Sequence, residues 1–96
     1  MKLLWCSYKK ESGKPAKHYL YLDLGKDSDK QYALAAKSMN KEDIATIRKH
    51  ASKLDLLTTD DKIKWIKIAC PGAMDNFRTL KLSKLRILKE YNIKSV

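Results

Sequence analysis

A chain of 96 residues with 44% hydrophobic content has room for one modest core and none for a second, cofactor-binding domain. Its formal charge of +10, from 21 basic and 11 acidic residues, favours polyanionic partners: nucleic acid, or the acidic face of another protein. Of the basic residues 18 are Lys and only 3 are Arg (Arg48, Arg78, Arg86), a mixture suited to phosphate contacts and poorly suited to reading base edges in a major groove.

The opening reads as a β-hairpin. Leu3 to Tyr8 is rich in strand formers, and His18 to Leu24 alternates almost strictly. Alternation puts His18, Leu20, Leu22 and Leu24 on one face, expected to pack inward, and Tyr19, Tyr21 and Asp23 on the other. The polar connection Lys9 to Lys17 carries Gly13 and Pro15 as turn residues. Gly25 to Asp27 ends the second strand. Ser28, Asp29, Lys30 and Gln31 then have the form of a capping box, which predicts a helix carrying Tyr32, Ala35, Ala36 and Met39.

Asn40 is placed to cap the next helix, with Glu42 and Asp43 in its positive first turn. Ile44, Ile47, Ala51 and Leu54 form a helical stripe expected to be core. Thr58 to Asp61 looks like a further helix start and Pro71-Gly72 its stop, although the alternation at Ile63-Lys64-Trp65 leaves a strand open. In the last segment, Phe77 to Leu82 reads as extended or as a short turn. Ser83 would cap a helix over 84–91 that Asn92 ends. Leu82 to Ile93 is loosely similar to the first helix of SAP-type DNA-binding motifs, without the second helix such a motif needs. The fold expected is α+β, one compact domain over 1–96, with an N-terminal β-hairpin followed by three to four short helices.

Two clusters bear on function. Lys9, Lys10, Lys14 and Lys17 sit on the hairpin loop beside Tyr19 and Tyr21, and aromatic rings on an open sheet face stack unpaired bases while loop lysines hold phosphates. The competing reading has helices covering that face, with the tyrosines as core. Arg78, Lys81, Lys84, Arg86 and Lys89 could track a phosphate backbone from a C-terminal helix, or simply be its solvated side.

Little points to catalysis. His18 falls on the leucine face and His50 away from the Ile stripe, while Asp60-Asp61 is accounted for by the helix dipole. Cys6 and Cys70 have no Cys or His neighbour at metal-ligand spacing and read as free core thiols in a reducing compartment. No catalytic, cofactor-binding or metal-binding residue is assigned. The apolar run at Met1 to Ser7 is too short for a signal peptide, and no membrane span is visible, so a cytoplasmic protein without a membrane partner is expected. The residues favour non-catalytic binding of RNA or single-stranded nucleic acid with weak sequence selectivity, through Lys9, Lys10, Lys14, Lys17, Tyr19, Tyr21, Arg78, Lys81 and Arg86. The alternatives are a small regulator or inhibitor docking its basic face on a larger protein and, third, a small basic ribonuclease of the toxin kind.

Overall fold

The leucine and aromatic runs at the start of the chain pair as their alternation predicts. A computed structural model describes residues 1–9 and 17–93. In it β1 (Lys2–Tyr8) and β2 (His18–Asp27) form an antiparallel hairpin with Leu3 opposite Leu22, Trp5 opposite Leu20 and Ser7 opposite His18. The remaining strands and α-helices among the described residues are β3 (Lys30–Ala35), α1 (Lys41–Lys49), α2 (Ala51–Leu54), α3 (Thr59–Ala69), β4 (Phe77–Lys81) and β5 (Leu85–Asn92). The class is α+β, but the helices are inserted between strands and do not follow a lone hairpin. The five strands make one sheet in the order β4-β3-β2-β1-β5, with every neighbouring pair antiparallel.

Two expected helices are strands. The capping-box residues instead make a tight turn: Ser28 takes a positive φ of 58°, and β3 starts at Lys30. β3 lies inside the sheet, and its Ala33 and Leu34 are both fully buried. A strand covered on both faces loses the alternation that would announce it. The segment expected as a helix over 84–91 is β5, and the likeness to a SAP-type helix falls with it. In β5 the register against β1 shifts at Leu88: Trp5 faces Lys89, whereas Cys6 faces Ile87. The extra residue is a β-bulge, which turns Lys89 and Tyr91 to the face opposite Leu85 and Ile87. The resulting spacing imitates a helix.

β4 and β5 are the two outermost strands, yet only three residues, Leu82–Lys84 in a 3-10 turn, join them. Across a flat sheet the two would stand about 19 Å apart. Four residue steps reach at most about 14 Å. The sheet is therefore curled. Leu80 of β4 and Leu85 of β5 share one buried cluster with Cys6, Tyr21 and Ala33, which marks the inner face. The amide of Leu82 bonds Asp29 O at 2.6 Å and that of Lys9 bonds Lys84 O at 2.9 Å, pinning the link to both sides.

The helices cover the outer face. Asn40 Oδ1 accepts from the Asp43 amide at 2.7 Å, capping α1 as its sequence predicts. Ile47, Ala51 and Leu54 are fully buried and Ile44 half-buried, so the stripe continues through the break at His50 into α2. Thr58 caps α3 by accepting from the Asp61 amide at 3.2 Å, and α3 stops before Pro71, so the termini decide for helix there. These helices pack on Leu22, Leu24 and Leu34 of the sheet. Gly25 allows the approach. It lies at a register shift of β2 with φ 124°, and a Cβ there would run into the Thr59 side chain at the start of α3.

Candidate nucleic-acid interface

The helix layer leaves part of the outer face open over β2, β1 and β5. Directly paired residues point to the same side of a sheet, so the register defines three cross-strand rows. They are His18, Ser7, Arg86; Leu20, Trp5, Lys89; and Leu22, Leu3, Tyr91. The third row runs under the helices at Leu22, which is 2% exposed, and emerges at Tyr91, which is 43% exposed. Trp5 stacks on His18 with ring centroids 5.4 Å apart and planes within 10°. The Lys89 ammonium stands 5.2 Å from the centre of the Tyr91 ring, a cation–π contact. Trp5 keeps 37% of its surface exposed and the bulge residue Leu88 keeps 46%. Where the open strip meets α1, Leu3, Leu20, Met39 and Ile44 line a shallow apolar groove of about 190 Å³ with Arg48 at its side.

Several expected basic residues gather at the loop end of this strip. Lys9 and Lys17 flank the hairpin loop and are exposed. Lys9 is joined by its backbone to Lys84, and Arg86 pairs with Ser7 beside His18. Lys10 and Lys14 lie outside the described residues. Arg78 and Lys81 stand on β4, at the other end of the strand order, and the three-residue link Leu82–Lys84 joins Lys81 to β5. The Arg78 guanidinium donates to Phe77 O at 2.7 Å and to Asp75 O at 3.4 Å.

The two tyrosines face inward. Tyr21 is only 6% exposed, within the Cys6, Ala33, Leu80, Leu85 cluster, and so offers no open stacking surface. Tyr19 is half-buried. Its ring lies 6.0 Å from that of Tyr21 and 5.5 Å from that of Tyr8, edge-on to the latter. Burial first, then a hydrogen bond with Tyr8, pushes the Tyr21 hydroxyl pKa well above its ordinary value. The curl of the sheet explains the exchange of roles. It closes the tyrosine face on itself and leaves the far side of β1 and β5 open. Alternation places Trp5 on the face of Leu3 and Ser7, and no local pattern in the sequence reports that this part of the face stays open.

The other reactive groups are occupied. His18 stacks on Trp5. His50 Nδ1 lies 3.0 Å from Thr46 O, with its ring 5.0 Å from that of Trp65. Cys6 and Cys70 are buried free thiols. Burial raises the pKa of both, and Asp43 adds to the rise at Cys70, so both are held protonated and poorly nucleophilic. Among the described residues no group of three His, Cys, Asp or Glu side chains is placed to hold a metal ion, and no helix is long and apolar enough to cross a membrane. No protein-family model matches the chain, and neither a curated protein nor a solved structure matches it.

Proposed function

We propose that this protein binds RNA or single-stranded nucleic acid without catalysis, and that it does so through the open outer face of β2, β1 and β5. The exposed Trp5–His18 stack carries the reading, because it lies beside Arg86 and Lys89 on paired strands. A flat ring pair on a rigid sheet extends a base stack at little cost in order, and neighbouring cations follow the phosphates. With Arg86 on the strip, Arg48 at its border and lysines for the rest, recognition is of backbone and base planes, so sequence selectivity is weak.

The test is a fluorescence titration with single-stranded RNA in a Trp65→Phe background, where Trp5 is the remaining indole. Stacking is expected to quench Trp5 saturably, with duplex DNA a poor competitor. An unchanged spectrum at low salt, with no binding by mobility shift, overturns the proposal. A second reading rests on β5 itself: it is an edge strand with Leu88 and Tyr91 exposed, a surface that a partner protein could extend as a sheet. Binding of protein but not of nucleic acid, lost in Trp5→Ala, would favour it.

A further inference from the structure

The groove where α1 meets β1 and β2 is unlike the rest of this basic surface. Apart from Arg48, every described side chain that lines its volume of about 190 Å³ is apolar. Leu22 and Ile47 are buried and form the floor, while Leu3, Leu20, Ala36 and Ile44 are half-buried, so an entering molecule reaches them. Ile44 and Arg48 stand one helical turn apart on α1, which sets the guanidinium beside the apolar wall. Arg48 is exposed, and its guanidinium has neither an ion pair nor a hydrogen bond among the described residues.

Size and lining narrow the occupant. Pockets for drug-sized ligands run to about 300–1,000 Å³, so this groove takes one short chain or one ring. Its described side chains offer no hydrogen-bonding group except the guanidinium. A nucleobase pushed into it would lay ring nitrogens and carbonyls against hydrocarbon and leave them unpaired. An inorganic anion would meet Arg48 and leave the walls in water. One guanidinium balances one negative charge, and it donates side by side to the two oxygens of a carboxylate. We propose that this groove binds a monocarboxylate with a short alkyl chain. The chain lies between Leu20 and Ile44, and the carboxylate sits on Arg48. Affinity comes from apolar area removed from water and grows with each methylene that the groove covers.

The groove borders the open strip at Leu20, which pairs with Trp5, but the proposal does not rest on RNA binding. The experiment is an NMR titration of the whole chain with acetate, butyrate, hexanoate, octanoate and octanol. Octanoate is expected to shift the amides of Leu20 and Ile44 saturably at millimolar concentration. From butyrate to hexanoate, affinity should rise about two- to fourfold for each added methylene. Octanol should bind about fivefold more weakly than octanoate, and Arg48→Gln should remove that difference. Ala36→Leu fills the groove and should abolish octanoate binding, with a thermal melt to show that the variant folds. Arg48→Gln changes an exposed side chain and remains decisive if Ala36→Leu does not fold. The proposal is overturned if acetate binds as tightly as octanoate, which would leave an anion contact alone. It is overturned if octanol does so, which would leave an apolar contact fit for a partner protein's side chain. Shifts that survive Ala36→Leu, or no saturable shift at millimolar octanoate, also overturn it. Trp5→Ala should leave octanoate binding intact, and Ala36→Leu should leave RNA binding intact, so either proposal can fail alone.

Discussion

The inner face of the sheet and the open part of its outer face both carry aromatic residues and use them in opposite ways. On the inner face Tyr8, Tyr19 and Tyr21 pack against one another and against Cys6, Leu80 and Leu85. On the outer face Trp5, His18 and Tyr91 lie beyond the edge of the helix layer, among Arg86 and Lys89. Residue type does not separate the two sets. The curl does, because a concave face fills its own space with side chains while the convex face depends on an inserted layer that ends before β1 and β5 do. Alternation in a strand therefore tells which residues share a side and leaves open which side is covered.

The contrast can be broken most directly at Tyr21. Tyr21→Ala should cost about 3–5 kcal/mol in a urea titration, as for other buried aromatics, and a cost below about 1 kcal/mol would show that the inner face is not core. Trp5→Ala should act in the reverse sense. It should weaken single-stranded RNA binding by about 1–3 kcal/mol, with a stability loss less than half that of Tyr21→Ala; equal losses in both assays would remove the distinction between the faces. Arg86→Gln and Lys89→Gln should each make the slope of log affinity against log salt shallower by about 0.7, and an unchanged slope would take the phosphate path elsewhere.

At neutral pH Tyr21→Phe should be the mildest change, and its effect should appear on raising the pH. Burial, with help from Tyr8, raises the Tyr21 pKa above the ordinary 10.0. The native state then keeps a proton that the unfolded chain releases, so stability is full below pH 10 and falls as pH rises past it. Cys6 and Cys70, also raised, begin the same loss from their ordinary value of 9.0. Melts across this range should show a decline that is smaller in Tyr21→Phe; an identical decline would assign it to other groups.

Much of the architecture was legible where local signals agree with tertiary ones. The hairpin alternation, the Asn40 and Thr58 caps and the Ile47, Ala51, Leu54 stripe all describe the folded chain. The failures share a cause. β3 is buried on both sides and so reads as an apolar run at helical spacing, while the Leu88 bulge resets the alternation of β5. In both, sheet context overrides a plausible local pattern. The residues expected at the candidate site are brought together only in part. Lys9, Lys17 and Arg86 are at one end, but the exposed ring belongs to Trp5, because no local pattern reports that a three-residue link draws β4 towards β5. Gln31 was read as a helix cap, whereas it is a buried β3 residue bonded to Asp23 of the neighbouring β2.

The pairing of β1 with β5 has a consequence for the chain while it is being made. β1 is an inner strand, yet one of its two neighbours lies at the other end of the sequence, with Lys2 and Glu90 joined across 88 positions. During translation the interval between the synthesis of β1 and that of β5 is on the order of ten seconds. Through it β1 presents an unpaired edge, and the inner face lacks Leu85 to close it. The nascent chain is therefore exposed to aggregation until β5 has been made and paired. A chaperone that shields the free edge of β1 would matter more to the yield of this protein than one that assists its helices.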